Sequence, residues 1–160
     1  MRGLVRLMRG AGRVAEPAPP RPDGLDGANV SLGGSVGIRH VDAGSCNGCE
    51  IEVAAAFGPV YDAERYGAKL VASARHADVV LITGVVTRNM LEPLRRTVEA
   101  TPNPRVVLAV GDCACDRGVF TGGIGVVGAA HDAVGVDLAV PGCPPEPDVI
   151  VEALRRVTLR

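Results

Sequence analysis

The chain has 160 residues, 47% of them hydrophobic and 2% aromatic, with 17 basic side chains against 18 acidic ones. That length suits one domain with one core, the apolar fraction excludes a disordered chain, and a net charge near zero with no Trp gives no reason to expect nucleic acid as a partner. The longest apolar runs, such as Val79–Ile82 and Val106–Val110, fall far short of the roughly 20 residues that cross a membrane as a helix.

Charge is unevenly spread. Residues 1–21 carry Arg2, Arg6, Arg9, Arg13 and Arg21 against Glu16 alone. The first four arginines recur at helical spacing and form one stripe of a helix over residues 1–15, with Leu4, Leu7, Met8, Ala11 and Val14 on the other side. This segment reads either as a frayed terminus or as an arm lying on a membrane surface or a partner subunit. It has neither an uninterrupted apolar stretch nor a small-residue cleavage site, so it is not a signal peptide, and the expectation is a cytoplasmic chain with reduced thiols. Pro17, Pro19, Pro20 and Pro22 then forbid helix and suggest a stiff linker, followed by a Gly-rich polar stretch. The expected division is a basic arm and linker over residues 1–35 and a folded domain over residues 36–160.

Within that domain short β-like runs alternate with helical ones. The predicted elements are a strand at Gly37–Val41, a helix at Glu50–Phe57, a strand at Asp78–Thr83 and a helix at Thr87–Ala100. A strand at Arg105–Val110, a strand at Val136–Val140 and a helix at Pro147–Val157 follow. Strands apolar at nearly every position, separated by helices, predict an α/β domain with a parallel sheet covered on both faces.

Three short turns follow three of these strands: Asp42-Ala43-Gly44-Ser45-Cys46, Gly111-Asp112-Cys113 and Pro141-Gly142-Cys143. In an open α/β sheet the carboxyl ends of the strands share one edge, where ligands bind, so residues distant in sequence should meet there. Four of the five cysteines, Cys46, Cys49, Cys113 and Cys143, fall just past strand ends; Cys115 sits two residues further on. A disulfide framework suits small exported chains. A thioredoxin-like pair would use Cys46 and Cys49 and leave three thiols unexplained. A structural zinc site usually has two Cys-x-x-Cys knuckles, and here there is one. A buried structural thiol is the plain reading of any single cysteine, Cys115 above all. One Cys-x-x-Cys with separate single cysteines, all in Gly/Pro turns, fits an iron–sulfur cluster best.

In these turns the chain resembles the small subunits of group 4, energy-converting NiFe hydrogenases, formate hydrogenlyase among them, which are relatives of the 20 kDa subunit of respiratory complex I. The similar stretches are Asp42-Ala43-Gly44-Ser45-Cys46-Asn47-Gly48-Cys49-Glu50-Ile51-Glu52, Tyr61–Gly67, Arg75-His76-Ala77-Asp78, Thr83–Arg88, Gly111-Asp112-Cys113-Ala114 and Val140-Pro141-Gly142-Cys143-Pro144-Pro145. They occur in order across about residues 38–155. The resemblance implies a flavodoxin-like fold and one 4Fe–4S cluster held by Cys46, Cys49, Cys113 and Cys143. It also implies partners: a NiFe-type large catalytic subunit, a ferredoxin-like iron–sulfur subunit and membrane subunits, the whole lying on the cytoplasmic face of the membrane. Asn47 and Gly48 separate the first two cysteines, as in the hydrogenase branch; the complex I branch has them adjacent. Cys115-Asp116-Arg117-Gly118 departs from a Gly-Gly that often follows the third ligand, Val119–Val136 is shortened, and Glu146 stands where an Arg is common. The implied role is electron transfer with no substrate bond made or broken in this chain; the alternatives are delivery of electrons to quinone and a non-redox zinc module.

Other polar residues carry weaker readings. Glu50 and Glu52 flank the first turn and could assist proton movement at a subunit interface, though a helix start favours carboxylates in any case. His76 could bond near the site or simply cap or face solvent. His40 and His131 read as ordinary surface residues. Gly122-Gly123-Ile124-Gly125 lacks the Gly-Lys-Ser/Thr ending of a phosphate loop.

Overall fold

Short runs of Val, Ile and Leu that are apolar at every position can be satisfied only by burial on both faces. In the computed structural model, which describes residues 2–11, 17, 19–23, 32, 34–116, 118–120 and 122–160, they form the centre of a parallel sheet. The elements in chain order are α1 (Arg2–Ala11), β1 (Val36–Asp42), α2 (Gly48–Ala56), β2 (Ala68–Leu70), β3 (Val79–Thr83), β4 (Val86–Thr87), α3 (Arg88–Ala100), β5 (Val106–Val110), α4 (Asp112–Asp116), β6 (Val126–Gly128), α5 (Ala130–Ala133), β7 (Leu138–Val140) and α6 (Pro147–Thr158), with short 3₁₀ turns at Ala63–Tyr66, Ala74–His76 and Gly118–Phe120. The strand order is β2-β1-β3-β5-β7, every pair parallel. This is the flavodoxin-like order, in which the sequence of strands reverses beside β1.

Side-chain alternation divides the core into two layers. Val79 and Leu81 of β3, with Val106, Leu108 and Val110 of β5, pack on the α2 and α6 side against Val53, Ala56, Ile150 and Leu154. Val80, Ile82, Val107 and Ala109 point the other way, toward Leu94 and Val98 of α3 and toward Ala114 and Ala130. All five residues of β3 and all five of β5 are buried. Asp78 and Asp137 fasten the strand starts: their carboxylates accept the backbone N–H groups of Gly37 and Val107, each at 2.7 Å.

The predicted strands and helices of the domain all occur, with ends displaced by one or two residues. Five elements add to them. β2 completes the sheet beside β1. β4 and β6 form a small antiparallel ribbon. α4 and α5 are helices of five and four residues. The predicted N-terminal helix over residues 1–15 is α1 over Arg2–Ala11; residues 1 and 12–15 of that expectation lie outside the described residues. The expected linker is described at Pro17 and at residues 19–23. There the Pro20 carbonyl accepts a 2.5 Å hydrogen bond from Arg155 of α6, whose guanidinium also lies over the Tyr66 ring at 5.0 Å. No helix among the described residues is long and apolar enough to cross a membrane.

Candidate metal centre

The carboxyl ends of β1, β5 and β7 each run into a cysteine-bearing turn, and β3 ends in the same place at Gly84. The ladder between β5 and β7 continues into the turns: Gly111 N–H donates to the Val140 carbonyl, and Asp112 N–H to the Gly142 carbonyl, both at 2.8 Å. The Asp112 carboxylate returns the bond, accepting the Gly142 N–H at 2.7 Å. The Cys113 and Cys143 turns are therefore held as a pair. On the other side the Asp42 carboxylate accepts the N–H groups of Gly44 and Ser45 at 2.9 and 2.8 Å, and Ala43 is tied to Thr83 and Thr87 by backbone bonds.

Between the turns lies a recess of roughly 140 Å³, lined by Cys46, Cys49, Cys113 and Cys143 together with Ser45, Gly48, Gly84, Asp112, Gly142 and Pro144. Cys49 and Cys113 are buried and Cys46 and Cys143 exposed. Cys115 is not part of this wall: its thiol points to the Ala109 carbonyl at 3.6 Å and packs in the core layer of α3. The four sequence-predicted site residues are thus brought together, and the fifth cysteine is turned away from them.

The turns approach too closely for side chains at two points. Gly111 has φ +92°, and a Cβ there would sit 2.4 Å from the Cys49 sulfur. Gly84 has φ +75°, and its Cβ would lie 2.4 Å from the Ser45 nitrogen. Both conformations favour glycine, and both glycines let the loop carrying Cys46 and Cys49 settle onto the sheet edge.

Burial and neighbouring charge both disfavour free thiolates in the recess. Burial first, then the Glu50 carboxylate and the other three recess thiols, push the Cys49 pKa up to about 12. Burial also raises Cys113, with Cys143 and Cys46 adding to it. Left to themselves these groups are protonated at neutral pH; positive charge at the centre of the recess would reverse that. Among the described residues no three His, Cys, Asp or Glu side chains are grouped so as to hold a metal ion. A four-iron cubane takes one thiolate on each iron, so its ligands surround a volume and do not converge on one point. The donor set fits such a cluster.

A polar chain unrecognised in the sequence supports the first turn. Glu50, at the start of α2, accepts the Ser45 hydroxyl at 2.6 Å and the buried Thr83 hydroxyl. Ser45 in turn accepts the N–H of Asn47 at 3.0 Å, the residue between the two cysteines held at φ +71°. His40 Nε2 lies 2.9 Å from the Thr83 oxygen. Because the single Thr83 proton goes to Glu50, that oxygen accepts from His40, which fixes the Nε2–H tautomer. His40, expected as a surface residue, is half-buried, and burial lowers its pKa below the ordinary value. Nothing local in the sequence marks this chain, because Thr83 and Glu50 are joined only when β3 and α2 pack. His76 is exposed in the turn before β3, at the opposite end of the strand from the thiols, and His131 is exposed beside Asp132. Those two are surface residues.

A profile of the family described as "NADH ubiquinone oxidoreductase, 20 Kd subunit" matches residues 46–157, from the first cysteine to the end of α6. The probable membrane-bound hydrogenase subunit mbhJ of Pyrococcus furiosus is 46% identical over 123 residues, covering 77% of this chain and 74% of that one. Formate hydrogenlyase subunit 7 of Escherichia coli is 46% identical over 110 residues, covering 69% of this chain and 43% of that longer one. Among solved structures, a chain of the membrane-bound sulfane sulfur reductase, an archaeal respiratory membrane complex, superimposes with a TM-score of 0.67 at 31% identity, over 77% of this chain and 68% of its own. The chain belongs to the family of the complex I 20 kDa subunit and the small subunits of NiFe hydrogenases, and is a subunit of an oxidoreductase complex.

Proposed function

We propose that the chain is the electron-transfer subunit of a membrane-associated, formate hydrogenlyase-like hydrogenase complex, carrying one 4Fe–4S cluster on Cys46, Cys49, Cys113 and Cys143. The observation that carries this is the meeting of four thiols from three strand-end turns in one recess, with the fifth thiol directed elsewhere. A cluster bound there would take up and release one electron at a time. The chain's own part is to hold the thiols, keep water from Cys49 and Cys113, and present the recess to a partner. Val119, whose backbone N–H reaches the Cys113 thiol, is 82% exposed. An exposed apolar side chain beside the recess favours a covering subunit, here a NiFe-type large subunit, with electrons exchanged through a ferredoxin-like subunit. Attachment to the cytoplasmic face of the membrane would be through membrane subunits, with the arm over residues 1–35 assisting the domain over residues 36–160.

The separation of Cys46 and Cys49 by two residues favours the hydrogenase branch over delivery to quinone, and the spread of the thiols favours a cluster over single-ion zinc. The test is anaerobic purification or reconstitution of the full chain, followed by iron and acid-labile sulfide analysis. About four irons and four sulfides per chain are expected; zinc without sulfide overturns the reading. In the intact complex, nickel in the large subunit supports the hydrogenase assignment, and its absence with quinone reduction moves the chain to the other branch.

A further inference from the structure

The turns that bear the thiols are each fastened by a carboxylate, and two of these carboxylates tie one turn to another element. Asp112 lines the recess and joins the Cys113 turn to the Cys143 turn through the Gly142 N–H at 2.7 Å. Glu50, next to Cys49, spans from the Ser45 hydroxyl at 2.6 Å to the Thr83 hydroxyl, and so ties the Cys46–Cys49 loop to the end of β3. Its side chain is only 16% exposed. Among the described residues no arginine or lysine forms an ion pair with either carboxylate; the nearest candidate is His40, 3.8 Å from Glu50 and half-buried. The Ser45 and Thr83 hydroxyls donate to Glu50, and the Gly142 N–H donates to Asp112.

We infer that Glu50 and Asp112 are positioning residues that lock the three thiol-bearing turns together and place carboxylates beside the bound group, lowering its reduction potential. The inference rests on the cluster reading above. Adding one electron to a cluster adds one negative charge. A carboxylate at the wall of the recess, Asp112, and one next in sequence to Cys49, Glu50, oppose that addition, because the low local dielectric leaves charge poorly screened. The first-turn carboxylate Asp42 differs: it is exposed and serves its own turn's N–H groups. The arrangement makes the site a strong reductant when loaded, a property suited to passing electrons to protons.

The experiment uses the full chain, reconstituted anaerobically with ferrous iron and sulfide, as wild type, Glu50→Gln, Asp112→Asn and the double variant. Glu99→Gln, on the last turn of α3 at the far edge of the sheet, is the control. The readouts are iron and sulfide per chain, the EPR signal of the reduced form, and the midpoint potential from dye titration. Gln and Asn keep an acceptor oxygen and remove the charge. The expected result is full loading, a more positive midpoint in each single variant, a larger shift in the double variant, and none in Glu99→Gln. Full loading with an unmoved midpoint in both single variants overturns the inference and leaves the cluster reading standing. A wild-type chain that takes up no sulfide overturns both. If the charge-removing variants fold but do not load, Thr83→Val and Ser45→Ala, which keep both charges and each delete one bond to Glu50, become decisive: reduced loading or an altered EPR signal supports the locking role, and wild-type behaviour in both overturns it.

Discussion

Each of the four recess thiols lies on or beside a turn whose geometry is set by atoms other than sulfur. Cys49 faces Gly111 so closely that a methyl group cannot intervene, and Cys113 and Cys143 share the paired bonds between Asp112 and Gly142. The turns themselves place the sulfurs, which would lower the ordering cost of binding the proposed cluster. If the proposed ligand set holds, replacing Cys46, Cys49, Cys113 or Cys143 by Ser loses or converts the cluster, because an alkoxide is a far poorer ligand for iron than a thiolate at neutral pH. Cys115→Ser retains about four irons and four sulfides, since that thiol packs toward Ala109. Metal and sulfide analysis with EPR checks the series. Loss of the cluster in Cys115→Ser together with its retention in Cys113→Ser would move the third ligand by two residues. A second residue-scale expectation concerns backbone space: Gly111→Ala puts a methyl group on the Cys49 sulfur at a positive φ. It should destabilise the fold by about 1–3 kcal/mol of local strain and reduce loading, read as a lower urea midpoint and fewer irons per chain.

At the scale of elements, β3 and β5 hold the sheet together and leave the site's turns at their ends. Leu81 of β3 is fully buried in the α2 and α6 layer. Truncation to Ala removes its packing and leaves a cavity, for an expected cost of about 2–5 kcal/mol. Urea unfolding should show a lower midpoint with an unchanged slope, and a chain that still folds should still load iron, because Leu81 sits two positions inside the strand from the turn. These two strands were plain in the sequence because every position of each is apolar, and the helices α3 and α6 because their apolar positions recur at helical spacing. β2 was not legible, since Ala68-Lys69-Leu70 has no pattern that three residues could show. β4 and β6 exist only by pairing with each other across the segment that holds α3, β5 and α4, and α4 is a five-residue helix inside a cysteine-bearing turn. The same division applies to the site. The cysteines announce themselves by type and spacing. Asp112, Glu50, Thr83 and His40 do not, because common residue types acquire their role only when three turns meet.

For the whole molecule, the basic arm and the open recess point to a chain built to sit among others. Within residues 1–22 the Pro20 carbonyl is tied to the domain by Arg155, and Arg155 keeps its bonds to Glu152 and to the Arg160 carbonyl without it. Deleting residues 1–22 removes the helical signal of α1 but should leave the urea midpoint and iron content of the domain unchanged while weakening retention of the chain in the complex, measured by pull-down. Equal retention would assign the arm no docking role.

Catalysis belongs to the same scale. The recess offers thiols, glycines and prolines, with no general acid or base aimed into it other than Asp112, whose carboxylate is occupied by the Gly142 N–H. One electron carrier cannot by itself perform the two-electron conversion of protons to hydrogen, so the chain alone, loaded with its cluster, should show no hydrogen evolution or uptake with a redox dye. Joined to its large subunit the pair should turn over, and a large subunit bearing two Cys-x-x-Cys pairs would be the partner that the recess serves. The isolated loaded chain should also lose iron in air faster than the complex does, because the exposed Cys46 and Cys143 would then be covered by nothing but water. Hydrogen turnover by the single chain would overturn the relay role, and equal air stability with and without the large subunit would place the partner's contact on another face.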